Sequence, residues 1–260
     1  MSKLKAFLAK NTIKVADGLP VVHSTRAYNL GQLRQSNMLQ VTECDVFKTE
    51  ELNYFFVGRP AYKLDSDGQG SPWEYPCCFI FDIKVLSDIR RIFPFDSGAF
   101  AGGRYPSYIQ RMPLEEFTAE TSTETPGKII GAFFGSPWNY FRSKPVNEDD
   151  FISEHNLGAF DAEVRGLHRL SGDSGSDKFD DRRMTIEIQN GSPIDLVADN
   201  PLAVIAPSEY FDDADFRKQV TETWGAEPIS YPVHTLSVQG AYSSIYDRVL
   251  DFYQRNGLLP

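Results

Sequence analysis

The order of hydrophobic and polar residues predicts short β-strands interleaved with short α-helices. Continuous apolar runs at residues 54–57 and 77–85 are rich in aromatic and β-branched side chains, which predicts buried strands. Apolar and polar residues alternate at 183–189, which predicts a strand with one polar face turned outward. At 243–253 apolar residues recur at helical spacing before an Asn-Gly stop signal, which predicts a C-terminal helix.

Shorter patterns predict the elements of the N-terminal region. Leu4, Phe7 and Leu8 lie at the spacing of a short amphipathic helix. Residues 19–23 form a brief apolar run that predicts a buried strand, followed by a helix that Thr25 would cap. Because strands and helices alternate without regular βαβ spacing, the pattern favours an α+β fold.

Glycine and proline positions predict where the regular elements stop. Residues 93–108 contain several glycines and a proline, which predicts an ordered but irregular loop. Residues 171–177 are richer still in glycine, serine and aspartate. Strands predicted at 183–189 and 202–205 continue one alternating pattern beyond that segment, so we expect a single domain over residues 1–260.

Charge limits the classes of partner. The net charge of −10 argues against bulk attraction to nucleic acid or to an anionic membrane, although Arg90, Arg91, Arg104 and Arg111 fall in one short segment. The acidic runs at 148–150 and 212–215 are interpreted as solvated loops.

Cysteine usage and hydropathy predict the cellular setting. Cys77 and Cys78 begin an apolar run, which favours small buried hydrophobic residues in a reducing compartment over a disulfide. No cysteine or histidine pair has the spacing of zinc ligands, so no metal site is expected. No apolar run approaches the length of a membrane span, and the broken apolar stretch at the N-terminus is unlike a signal peptide. We therefore expect a cytoplasmic protein with no membrane partner.

Arg59 follows the apolar run at 54–57 directly, between Gly58 and Pro60. Arginine is almost never fully buried without a partner. This guanidinium is therefore either locked to an internal carboxylate or held for an anionic ligand such as a diphosphate, which its fork of donors fits.

Further polar residues lie at His23-Ser24-Thr25, where a predicted strand ends. This combination supplies several hydrogen-bonding groups that either orient a ligand ribose or a water, or serve a structural purpose. The alternating strand at 183–189 carries Glu187, which either faces solvent or lines a cleft. Glu209 is a rival carboxylate that follows its strand and fits the surface better.

Taken in order, these segments resemble the ADP-ribosyltransferase superfamily, most closely the DarT-type toxins that modify single-stranded DNA. His23-Ser24-Thr25 is similar to the first NAD-binding motif of that family. Residues 53–60 are similar to its aromatic strand, which also ends in an arginine beside a proline, and residues 183–187 resemble the late strand that carries the catalytic glutamate.

The resemblance implies a fold of two packed, mainly antiparallel β-sheets flanked by short helices, and NAD as cofactor. It assigns catalysis to Glu187, which would stabilise the oxocarbenium-like transition state, and to Arg59. It assigns cofactor binding to His23, Ser24, Thr25, Tyr54 and Tyr62. The imidazole, guanidinium and carboxylate would then converge on one nucleotide-sized hollow.

The same resemblance implies transfer of ADP-ribose to a macromolecular acceptor, a nucleic acid base in preference to a protein side chain. Family members that modify arginine usually carry Glu or Gln two residues before the catalytic glutamate, and Thr185 stands there in this chain. A toxin or phage-defence effector, with an antitoxin or regulatory partner, would fit this activity. The alternatives are an NAD glycohydrolase and an inactive module that binds NAD or ADP-ribose.

Overall fold

The computed structural model describes residues 1–10, 13–61, 71–173, 184–233 and 238–260. The chain divides into two compact units, each assembled from three stretches. Unit 1 comprises Met1–Leu19, Glu43–Glu51 and Asp88–Asn190, and unit 2 comprises Pro20–Thr42, Leu52–Ser87 and Gly191–Pro260. The single domain expected over residues 1–260 stays a prediction.

Short strands and helices alternate along the chain, as the sequence pattern predicts. The strands are β1 (Val21–Arg26), β2 (Met38–Leu39), β3 (Thr42–Glu43), β4 (Glu51–Val57), β5 (Pro76–Phe81), β6 (Ile89–Phe93), β7 (Glu187–Asn190), β8 (Ile194–Asp195), β9 (Ala203–Pro207) and β10 (Glu227–Tyr231). The helices are α1 (Lys3–Lys10), α2 (Leu30–Ser36), α3 (Ser97–Ala101), α4 (Ser107–Gln110), α5 (Thr125–Phe134), α6 (Pro137–Phe141), α7 (Glu148–His155), α8 (Ala162–Ser171), α9 (Ser208–Asp212), α10 (Ala214–Lys218) and α11 (Val238–Arg255). Within the described ranges, none of these helices has the length and apolar character needed to cross a bilayer.

Unit 2 contains a mainly antiparallel sheet. In it β1 lies between β4 and β5, β9 follows β5, and all three of these contacts are antiparallel. β10 continues the sheet beside β9 in parallel orientation, which the crossover through α9 and α10 makes possible. β2 and β8 form a small second sheet. The predicted α+β class is therefore confirmed.

The core of unit 2 is built on β5, which is buried at every position because both of its faces are covered. Phe79 packs 6.0 Å from Trp224, and Phe55 of β4 packs 6.0 Å from Phe81, measured between ring centroids. The strand predicted at 77–85 ends earlier, at Phe81, because the Asp82 side chain accepts a hydrogen bond from the Lys84 amide and begins a 3-10 turn. Cys77 and Cys78 are free and buried in this strand, as predicted.

β1 begins and ends later in the chain than the sequence pattern predicts, at Val21–Arg26 instead of 19–23. Its residues pair with β5 from Val21 opposite Phe81 to Arg26 opposite Pro76. His23 therefore does not end the strand, and Thr25 does not cap the following helix. The pairing with β5 satisfies the backbone of this segment, so the hydroxyl residues lie inside the sheet.

Unit 1 combines the antiparallel pair β6–β7 with helices α1 and α3 to α8. The loop predicted at 93–108 contains α3 and α4 instead, because Asp96 accepts a hydrogen bond from the Ala99 amide and caps α3. Phe95 lies within 5.5 Å of Phe100 and 5.1 Å of Phe117, measured between ring centroids. These ring contacts pack the segment that begins at Phe95, although its glycines predicted an irregular loop.

The two acidic runs belong to helices and not to loops. Residues 148–150 form the first turn of α7, where the Asn147 side chain accepts hydrogen bonds from two amides. Asp213 caps α10 and also pairs with Arg34 at 2.9 Å. Carboxylates are favourable at helix N-termini because they face the positive end of the helix dipole.

The strand expected at 183–189 is observed as β7, which begins at Glu187. Met184 has a φ of 47°, and Arg183 lies outside the described residues. The expectation that Thr185, Glu187 and Gln189 face outward was wrong, since all three are buried. Polar side chains tolerate this environment when hydrogen bonds satisfy them.

Two helical glycines predict opposite effects of a methyl group on stability. A Cβ atom at Gly131 in α5 would overlap the Lys14 carbonyl oxygen, which is backbone and cannot move aside cheaply, whereas a Cβ atom at Gly31 in α2 meets nothing within 4 Å. We expect Gly131→Ala to lower the free energy of unfolding by ~1–3 kcal/mol or more. The matched Gly31→Ala should raise it by ~0.5–1 kcal/mol. Urea denaturation of both variants tests this, and equal effects would contradict the close approach at Gly131.

Candidate functional site

A pocket of about 290 Å³ lies in unit 2. It is lined by residues of β1, α2, β2 and β4 and of the segments that join them, and these include His23, Ser24, Thr25 and Tyr54. The tertiary fold thus brings four of the predicted cofactor-binding residues to one cavity. The fifth, Tyr62, lies outside the described residues.

The lining of this pocket is polar but uncharged. Of the described residues around it, none is Asp, Glu, Lys or Arg, whereas side-chain amides and hydroxyls come from Asn29, Gln32, Gln40, Thr42 and Asn53. Leucine and methionine side chains complete the wall. A lining of this kind suits an uncharged moiety that has both hydrogen-bond donors and acceptors.

His23 offers a defined hydrogen-bonding group. Its Nδ1 lies 2.9 Å from the Tyr54 carbonyl oxygen, and because a carbonyl only accepts, Nδ1 carries the proton. Burial lowers the pKa of His23 to about 4 in spite of this hydrogen bond and although part of the residue remains accessible, so the imidazole is neutral at pH 7. Nε2 then presents a lone pair that no described residue engages. The ring can therefore accept a hydrogen bond from a ligand hydroxyl or amide.

Neighbouring side chains fix the walls of the pocket. The Asn53 amide donates to the Leu39 carbonyl at 3.1 Å, and the Asn29 amide donates to the Thr25 hydroxyl at 2.7 Å. Thr25 keeps its own hydroxyl proton for donation elsewhere. The buried Ser24 hydroxyl has no hydrogen-bond partner among the residues that the structure describes. Hydrogen-bonding capacity therefore remains along His23-Ser24-Thr25.

Arg59 lies just beyond β4, where the chain turns sharply. Gly58 has a φ of 67°, which favours glycine, and its amide donates to the Pro20 carbonyl at 2.8 Å. The Arg59 side chain is only 2% exposed. It is not among the described residues that line the pocket of unit 2.

Glu187 lies in unit 1 and is only 1% exposed. Its Oε2 accepts a hydrogen bond from the Ser97 amide at 3.0 Å. Its Oε1 accepts from the Ser97 hydroxyl at 2.7 Å and from the Gln189 amide at 2.8 Å. Three donors thus hold the carboxyl group in one orientation.

The surroundings of Glu187 place its ionisation near neutral pH. Burial, and after it the Asp96 carboxylate, raise the pKa of Glu187 to about 8, although the hydrogen bonds from Ser97 and Gln189 oppose both effects. A carboxyl group with such a pKa exchanges a proton close to physiological pH. That property is typical of general acids and bases.

The sequence interpretation missed the residues that surround Glu187. Ser97 fell in a segment interpreted as loop, although Asp96 directly before it is a typical helix cap. Gln189 stands two positions after Glu187, so the alternation of the strand already indicates that the two share a face. Arg91 could not be found in this way, because it depends on the register that sets it opposite Gln189.

Neither Glu209 nor a comparison with known proteins points to a further functional site. Glu209 lies exposed in the first turn of α9, as the sequence interpretation favoured. Within the described ranges, no cluster of three His, Cys, Asp or Glu residues could hold a metal ion.

A scan against protein-family models, a search of curated proteins and a search of solved structures each found no match.

The raised pKa of Glu187 predicts a pH-dependent stability. Between its ordinary value of 4.5 and about 8, the folded protein keeps a proton that the unfolded chain has released. Stability from this group is therefore present below the ordinary value and lost as pH rises through about 8. Relative to Glu187→Gln, we expect the wild-type free energy of unfolding to fall by on the order of a few kcal/mol across this window.

Urea unfolding of both proteins at closely spaced pH values measures this difference. Groups that do not interact with Glu187 contribute equally to the two proteins and cancel in the comparison, whereas the effect of Asp96 on Glu187 is part of the measured difference. Parallel pH profiles for wild type and Glu187→Gln would show that Glu187 ionises in the folded protein at its ordinary pKa.

Proposed function

We propose that this protein binds NAD⁺ through an ADP-ribosyltransferase-like fold and transfers ADP-ribose to a macromolecular acceptor. The observation that carries the proposal is the pocket of unit 2, which His23, Ser24, Thr25 and Tyr54 line together. The resemblance assigns all four to NAD, and His23 and Tyr54 come from strands separated by 31 positions in the chain.

The size and polarity of the pocket support binding of part of a dinucleotide. Its volume of about 290 Å³ lies just below the usual range for ligand pockets, ~300–1,000 Å³, which fits part of a dinucleotide and not the whole. An uncharged lining with amides and hydroxyls favours the ribose and its attached ring over phosphate. In this proposal His23 and Thr25 bind ribose hydroxyls, Tyr54 or Tyr62 stacks on nicotinamide, and Arg59 binds the diphosphate.

The chemistry proposed is cleavage of the bond between nicotinamide and ribose. As this bond breaks, positive charge develops on the ribose, and an ionised carboxylate stabilises that charge. We propose Glu187 for this role and for accepting the proton of the acceptor group. A nucleic acid base is the favoured acceptor, and a toxin or defence effector with an antitoxin or regulatory partner is the favoured setting.

A second candidate is a module that binds NAD or ADP-ribose without turning it over. The observation that favours it is the burial of Glu187, whose pKa of about 8 leaves the carboxyl mostly protonated at pH 7. A protonated carboxyl stabilises a cation far less than a carboxylate. NAD hydrolysis without an acceptor is the third reading and shares the first step of the transferase.

Two conservative pocket variants test NAD⁺ binding. Thr25→Val removes a hydroxyl with little change in volume, and His23→Phe keeps a ring but removes the Nε2 acceptor together with the Nδ1 donor to Tyr54. We expect each to weaken NAD⁺ binding by about tenfold, measured by titration calorimetry, because one hydrogen bond is lost. Gln35→Ala, an exposed residue of α2 outside the pocket, is the matched control. Unchanged affinity in folded pocket variants would remove NAD⁺ from this cavity.

Glu187→Gln tests the catalytic role. We expect it to lower nicotinamide release by ~10²–10³ or more while NAD⁺ binding persists. We also expect wild-type kcat/KM to rise with pH through about 8, because the ionised carboxyl is the active form. Labelling of added DNA, RNA or protein identifies a transferase, and release without labelling identifies a hydrolase. Binding without release identifies the inactive module, and full activity in Glu187→Gln rules this residue out.

A further inference from the structure

Arg91 is held in a fixed position next to the Glu187 carboxyl network of unit 1. Its Nη1 donates to Glu50 Oε2 at 3.0 Å, and its Nη2 donates to the other oxygen of the same carboxylate. The guanidinium carbon lies 4.0 Å from the centre of the Phe47 ring. With a two-pronged ion pair and a ring contact, the guanidinium has little freedom to rotate.

This fixed guanidinium sets the orientation of the Gln189 side chain. Arg91 Nη1 lies 3.3 Å from Gln189 Oε1, and arginine can only donate, so the amide oxygen faces Arg91. The NH₂ group is consequently turned the other way, 2.8 Å from Glu187 Oε1 and 3.0 Å from the Ser97 hydroxyl. The opposite orientation would set NH₂ against a guanidinium and an amide oxygen against a carboxyl oxygen.

We propose that Arg91 and Gln189 are positioning residues for Glu187: Arg91 fixes the Gln189 amide so that its NH₂ group donates to the Glu187 carboxyl and favours the ionised form. The catalytic meaning of this arrangement rests on the proposed function. The hydrogen-bonded chain itself lies wholly within unit 1.

The groups around Glu187 act in opposite directions. The Asp96 carboxylate, at the start of α3, disfavours ionisation, as burial does, whereas Ser97 and Gln189 favour it. Glu50 is neutralised by Arg91, and the Tyr140 hydroxyl accepts a hydrogen bond from the neighbouring Ile186 amide at 3.1 Å. Gln189 is thus the hydrogen-bond donor within β7 that favours ionisation of Glu187, against the effects of burial and of Asp96.

The pH at which Glu187 ionises is the direct readout of this role. With ¹³C-labelled glutamate, the Glu187 carboxyl resonance is identified by its absence in Glu187→Gln and titrated by NMR. We expect Arg91→Gln and Gln189→Met each to raise its midpoint by about one pH unit. Arg90→Gln is the matched control, since it removes the same charge from the adjacent residue of β6, which pairs with Asp88. The Glu187 midpoint in Arg90→Gln should equal that in the wild-type protein.

A double variant separates positioning from direct charge. If Arg91 acts through the Gln189 amide, Arg91→Gln produces no further shift in the Gln189→Met background. An additive shift would mean that the guanidinium charge acts on Glu187 directly, and this would overturn the positioning role. Unchanged midpoints in both single variants would overturn the inference altogether. If Gln189→Met fails to fold, Arg91→Lys replaces it, because lysine keeps the charge but not the two-pronged ion pair with Glu50. A shift like that of Arg91→Gln would support positioning, and a midpoint equal to that of wild type would overturn it.

The titration needs no NAD⁺, so it is independent of the proposed activity. Where the activity exists, the pH profile of kcat/KM in Arg91→Gln should move upward in parallel with the NMR midpoint. A shifted midpoint in a protein that never turns over NAD⁺ would support this inference and overturn the proposed function. An unshifted midpoint in an active enzyme would do the reverse.

Discussion

The carboxyl group of Glu187 is buried, and the need to satisfy it with hydrogen bonds explains much of the structure around it. A buried polar group without hydrogen-bond partners costs a few kcal/mol, and a buried unpaired charge costs far more. Ser97 at the start of α3 and Gln189 in β7 provide its three donors. Asp96 caps α3 and at the same time raises the pKa of Glu187. One polar group thus links the helix start, the strand and the proton chemistry of unit 1.

The pocket of unit 2 differs from the surroundings of Glu187 because the described residues that line it carry no charge. Its lining is polar, and even its histidine is neutral, because burial opposes the charged imidazole more strongly than the Tyr54 carbonyl favours it. Such a cavity discriminates through the positions of donors and acceptors and not through attraction of opposite charges. This explains how a protein with a net charge of −10 can offer a site suited to the neutral part of a nucleotide.

The proposed function assigns catalysis to Glu187 and NAD⁺ binding to the pocket of unit 2. This assignment depends on a family resemblance that short motifs carry. The pocket supports the part that concerns NAD⁺, since residues distant in sequence meet around it. The protonated state of Glu187 at neutral pH favours an inactive binding module, because the transferase needs the ionised carboxyl. Transferase and binding module therefore differ in whether bound NAD⁺ releases nicotinamide, and not in the pH at which Glu187 ionises.

Hydrophobic patterning alone indicated the α+β class, the helix α1, residues 54–57 of the strand β4 and the C-terminal helix. Both helices bury one recurrent apolar face, and the strand segment is a continuous apolar run. The resemblance to ADP-ribosyltransferases, and not periodicity, selected His23, Ser24, Thr25 and Tyr54, which line one pocket. Tertiary structure decided what local pattern does not encode. The pairing with β5 extended β1 past His23, and the register of β6 against β7 set Arg91 opposite Gln189. The burial of Glu187 and the neutral state of His23 follow from neighbours far apart in the chain, and only folding brings such neighbours together.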